Sequence, residues 1–64
     1  MTYYIEWKLP NGHTEQETFA DLGDAKIEAT YRANKFAIEH GSCEILITDE
    51  TGQAHLIQTN SYHG

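Results

Sequence analysis

Sixty-four residues are enough for one domain. A chain this short buries only about 60% of its unfolded surface, so a disulfide, a metal or a partner subunit usually supplements its core. The formal net charge is −6, and the four cations, Lys8, Lys26, Arg32 and Lys35, form no run, which excludes nucleic-acid binding by phosphate neutralisation and disfavours an anionic membrane surface.

Cys43 is the single cysteine, which rules out an internal disulfide and suits a reducing compartment. No apolar run approaches transmembrane length, and the first eight residues carry neither a basic segment nor a long apolar stretch. A secretory signal is therefore not expected, and the cytoplasm is the expected location. The acidity fits solubility. It also fits a sharper reading, in which carboxylates meet a basic partner surface as a mimic of nucleic acid.

Residues 1–20 read as a β-hairpin. From Thr2 to Leu9 the chain alternates, with Tyr3, Ile5, Trp7 and Leu9 on one face and Thr2, Tyr4, Glu6 and Lys8 on the other. That is the period of a half-buried strand. Pro10-Asn11-Gly12 is a turn, and the polar stretch His13 to Phe19 returns as an edge strand.

Residues 21–41 read as a helix. Asp21 caps it, Asp24 suits its first turn, and Gly41 ends it after His40. Leu22, Ala25, Ala29, Ala33, Phe36 and Ala37 form its core stripe at spacings of three and four. Residues 42–59 read as a second hairpin. Cys43 to Asp49 is a strand with Cys43, Ile45 and Ile47 inward and Leu46 on the reverse face. Asp49-Glu50-Thr51-Gly52 is the turn. Gln53 to Thr59 is the last strand, and of the adjacent Leu56 and Ile57 only one can face the helix. Residues 60–64 read as a loose tail. The most apolar strands, the first and third, belong in the centre. The expected fold is thus an α+β two-layer β-β-α-β-β sandwich, with a four-stranded antiparallel sheet in the order 2-1-3-4 and one helix on one face.

The pattern Asp21, Asp24, Ala25, Ala29, Ala33, Phe36, Ala37, Gly41, then Ile45, Ile47, Asp49, Gly52, Ser61, Tyr62 and Gly64, resembles the small bacterial domains of unknown function grouped as DUF2188. The likeness covers roughly residues 21 to 64. It departs in the first hairpin, which is shorter and holds Trp7 within its first strand, and at His63, which interrupts the Ser-Tyr-Gly-like end. The resemblance implies the β-β-α-β-β order and no activity.

Chemistry-bearing residues are present without a constellation. His13, His40, His55, His63 and Cys43 are the potential metal ligands, but they are dispersed along the chain and do not form the two closely spaced pairs of a structural zinc site, so no metal or other cofactor is expected. Cys43, on an inward strand face and followed by Glu44, has the setting of a buried thiol and not of a nucleophile. The pairs Glu15 with Glu17, Asp21 with Asp24, and Asp49 with Glu50 read as solvated charge, since one helix on one small sheet leaves little room for a pocket that perturbs a carboxyl. The glycines are isolated and do turn or cap duty. No catalytic residue and no enzyme activity is expected.

Two surfaces stand out. At 100° per residue Ile27, Tyr31 and Ile38 fall together opposite the alanine stripe, with Asn34 beside them. On the sheet face away from the helix, Tyr4 and Leu46 sit on neighbouring central strands, joined by whichever of Leu56 and Ile57 points away. Clustered exposed apolar residues mark interaction sites. The expectation is a non-enzymatic interaction or regulatory module, homodimeric or bound to a protein partner through one of these surfaces. The alternative is an acidic inhibitor that occupies a basic site on another protein.

Overall fold

A computed structural model describes residues Met1–Tyr62; His63 and Gly64, with the ligand and tail roles assigned to them from sequence, lie outside the described residues. The elements in chain order are β1 (Tyr3–Lys8), β2 (Thr14–Phe19), α1 (Leu22–His40), β3 (Ser42–Asp49) and β4 (Ala54–Ser61). The strands form one sheet in the order β2-β1-β3-β4, and every neighbouring pair is antiparallel. With α1 on one face, this is the α+β arrangement expected from the pattern.

Local chemistry fixes each element. The β1–β2 connection closes when the Leu9 carbonyl accepts the Gly12 N–H at 3.0 Å and the Leu9 N–H donates to the His13 carbonyl at 2.9 Å. Asn11 Oδ1 accepts from the His13 N–H. That closure holds Leu9 and His13 in the turn, so both strands are shorter than the alternation alone suggests. The α1 N-terminus is capped by Asp21, whose Oδ2 accepts the Asp24 N–H at 3.0 Å. Gly41, at φ 96°, ends the helix by donating its N–H to the Ala37 carbonyl at 2.8 Å, a backbone state that side chains with a Cβ rarely adopt.

The core lies between α1 and the inner faces of the two central strands. Ile5, Trp7, Leu9, Cys43, Ile45 and Ile47 meet Ala25, Ala29 and Ala33, with Tyr3, Phe19, Leu22, Phe36 and Leu56 around the edge. The alanines let the helix approach closely enough for the fully buried Trp7 to donate its indole N–H to the Ala29 carbonyl at 3.0 Å. Arg32 covers that indole, its guanidinium 4.7 Å from the ring centroid, and Phe36 packs edge-on against it.

In the second hairpin two sequence expectations change and one open choice is decided. First, β4 continues to Ser61, so Asn60 and Ser61 are not a loose tail; they pair with Cys43 and Ser42. Asn60 Nδ2 donates to Asn34 Oδ1 at 2.8 Å, and the Tyr62 N–H donates to the Gly41 carbonyl at 3.1 Å. Hydrogen bonds hold this end, and an apolar periodicity cannot register them. Second, the facing of Leu56 and Ile57 is settled by a bulge: Ile47 pairs with Leu56 and Thr48 with Ala54, which leaves His55 as the extra residue. Leu56 packs on the core, while Ile57, paired with Leu46, is 78% exposed on the opposite face. Third, Asp49 is 5% exposed and is not the solvated charge expected.

Candidate interaction surfaces

The ionisable residues are dispersed, and the fold commits several of them. Asp49 organises the β3–β4 turn. Its Oδ1 accepts from the Thr51 N–H at 2.8 Å, the Gln53 N–H at 3.2 Å and the Thr51 hydroxyl. Its Oδ2 pairs with His55 Nε2 at 2.7 Å. The Thr51 hydroxyl and then the His55 ring hold the Asp49 carboxyl well below the usual carboxylate range; two backbone N–H groups add to this and outweigh desolvation. The His55 ring also packs edge-on against Tyr3, 5.4 Å between centroids. The bulge at His55 is what turns this ring toward Asp49. Sequence reasoning missed the cluster because a polar turn residue gives no periodic signal; the alternation of β3, which puts Asp49 in phase with Cys43, Ile45 and Ile47, was the available clue.

Burial, reinforced by Glu44, pushes the Cys43 thiol up, away from the thiolate form a nucleophile needs. His13 pairs with Glu15 at 2.5 Å beside the first turn, and His40 ends α1. Among the described residues, no group of three or more His, Cys, Asp and Glu side chains converges as a metal site. Glu17 and Glu28 both meet Arg32, at 3.2 and 3.0 Å; Glu17 and Glu15 therefore lie on the helix side of the sheet, in line with their pairing with Ile5 and Trp7.

The sheet face away from α1 carries two open concavities. The larger, about 600 Å³, is lined by Tyr4, Glu6, Gln16, Thr18, Leu46 and Thr48 among others. The smaller, about 160 Å³, is bounded by Lys8, Glu44, Leu46, Ile57 and Thr59 among others. The apolar residues of this face, of which Tyr4 and Leu46 line the larger concavity together, are interleaved with polar ones. Tyr4 stands opposite Thr48, whereas Leu46 stands opposite Glu6 on β1 and Ile57 on β4. Glu6 thus occupies the middle, where its carboxylate accepts from Gln16 Nε2 at 3.2 Å. Lys8 and Glu44 face each other across the same two central strands.

The outer face of α1 differs. Ile27 is 71% exposed and Tyr31 and Ile38 are each 60% exposed, while Ala25, Ala29, Ala33 and Ala37 fill the opposite side. Lys35 lies with its ammonium 5.5 Å from the Tyr31 ring. Of the five residues singled out from sequence, the structure therefore places Ile27, Tyr31 and Ile38 on one helix surface, and Tyr4 and Leu46 on the other side of the molecule. Ile57 completes the second surface.

No family model matches the chain, and comparison with curated proteins and with solved structures found no match. The likeness to the DUF2188 domains accordingly rests on the sequence pattern alone. Among the described residues, no helix is long and apolar enough to cross a membrane.

Proposed function

We propose that this chain is a small non-enzymatic protein-interaction or regulatory module that works as a homodimer through the outer face of α1, in a reducing compartment such as the cytoplasm. One observation carries the reading: three large apolar side chains stand 60–71% exposed along a helix whose other side is already filled. Burying a side chain of this kind fully is worth about 1.5–3 kcal/mol, which is large beside the roughly 3–5 kcal/mol that a core of this size supplies. The sheet face supports the reading less well. Packing a second body on it would take the Glu6 carboxylate out of water with, among the described residues, Gln16 as its one side-chain hydrogen-bond donor, and burying a poorly paired charge is costly.

Two further features favour a binding role over catalysis. Cys43 and Asp49, whose proton affinities the fold shifts, are committed to the core and to a turn. Both concavities are open dishes on a sheet surface. The acidic-inhibitor reading is weakened by contacts within the chain, because Glu17 and Glu28 both pair with Arg32 and the Glu15 carboxylate is hydrogen-bonded to the His13 ring. Sedimentation equilibrium over a concentration series tests the proposal. A dimer that Ile27→Lys or Ile38→Lys dissociates, and that Tyr4→Lys or Leu46→Lys leaves intact, is the expected result. A monomer at the highest concentration would overturn it.

A further inference from the structure

Ile27, Tyr31, Asn34 and Ile38 follow one another at intervals of four, three and four residues. These are the alternating intervals of a two-helix packing seam, and they read the same in both directions. All four residues are exposed in the structure. The seam spans about 16 Å of helix at 1.5 Å per residue; Ile27, Tyr31 and Ile38 stand 60–71% exposed along it, and Asn34 lies at its edge, where it reaches Asn60 of β4.

We propose that the occupant of this seam is the α1 helix of a second copy of the chain, running antiparallel, with Ile27 against the partner's Ile38 and Tyr31 against the partner's Asn34. The proposal rests on the homodimer reading above and adds the direction and register of the contact. Three features select the antiparallel arrangement. The first is charge. Glu28 and Lys35 flank the seam on the same side, two turns apart, with Glu28 toward the N-terminal end and Lys35 toward the C-terminal end. A two-fold axis perpendicular to the helices sets each Glu28, which also meets Arg32 of its own chain, near the partner's Lys35, whose ammonium in the single chain lies by Tyr31, giving two complementary pairs. A parallel dimer instead brings this flank against the opposite flank of the partner, which carries Gly23, Thr30 and Ala37.

The second feature is size. Antiparallel pairing sets the long Tyr31 against the short Asn34 in both central layers, whereas parallel pairing stacks tyrosine on tyrosine and asparagine on asparagine. The Asn34 amide oxygen is already bonded to Asn60, which leaves its N–H groups for the facing Tyr31 hydroxyl. The third is repulsion. Asp24 continues the seam three residues before Ile27; in a parallel dimer it would meet its own copy, and in the antiparallel one it lies toward the partner's Gly41. A seam of four residues is smaller than a standard stable interface, so the association is weak and rises with concentration.

Cysteine cross-linking of the full chain reads the register directly. Ile27→Cys and Ile38→Cys are made separately, mixed in equal amounts and oxidised gently, with the buried Cys43 left in place. The disulfide between Cys at 27 and Cys at 38 should form well above its statistical share. In sedimentation, Lys35→Glu should weaken the dimer about fivefold, and Glu28→Lys with Lys35→Glu in one chain should restore it. Preferential formation of the like-with-like disulfides would overturn the antiparallel register while leaving a helix-mediated dimer standing. A dimer in sedimentation with neither cross-link would overturn the seam and leave dimerisation itself intact. A monomer throughout would overturn both.

Discussion

The two sides of α1 are built on opposite principles. The inner side presents alanines, each at most 3% exposed, and lets the sheet supply the bulk through Trp7, Ile5, Ile45 and Ile47. The outer side presents two isoleucines and a tyrosine to water. The difference teaches that side-chain size on this helix follows the distance to whatever packs against it. The inner side has no slack for added volume, and the outer side carries volume with no intramolecular use.

That contrast can be broken most severely at Trp7. Trp7→Ala should cost about 3–5 kcal/mol, enough to unfold a domain of this size, and far-UV circular dichroism during urea denaturation would read the loss. Next comes Ala33→Leu, which adds three carbons where there is no room; about 1–3 kcal/mol of destabilisation is expected by the same measurement. Gly41→Ala should cost about 1–2 kcal/mol, because the helix ends there in a positive-φ state. On the outer side the expected stability change is the smallest. Ile38→Lys should alter the unfolding free energy of the monomer, measured at a dilution where the native chain is dissociated, by less than ~0.5 kcal/mol while abolishing association at high concentration, which separates folding from binding.

A pH series sharpens a different part of the molecule. The carboxyl of Asp49 binds its proton less readily in the folded chain than in the unfolded one. Its contribution is therefore fully present above the ordinary carboxyl value, about 3.9, and is lost as pH falls below that value toward the folded one. Thermal unfolding midpoints should fall as pH drops below about 4 and go on falling below about pH 3 in the native chain, and the fall should be shallower in Asp49→Asn.

The sequence made the layers legible and the polar fastenings illegible. Strict alternation in β1, the alanine spacing of α1 and the Asp21 and Gly41 caps are local signals, and each produced the element it predicted. The facing of Leu56 and Ile57 depended on a bulge at His55, which is visible only once β3 and β4 are paired. The end of β4 depended on Asn60 reaching Asn34, a bond between residues 26 positions apart. Asp49 was read as solvated because its type outweighed its phase in the strand. On the candidate surface, the helical angle of Ile27, Tyr31 and Ile38 was enough to place them together. The role of Glu6 in dividing the opposite face required knowing which residue stands beside it on β3.

The indole of Trp7, the chain's single tryptophan, is enclosed between sheet and helix and tethered to Ala29. Its fluorescence therefore gauges whether the two layers remain docked, and it has no view of anything approaching from outside the helix. A titration that leaves the emission maximum unmoved is what self-association along that helix would produce, whereas a red shift would signal that the layers have come apart.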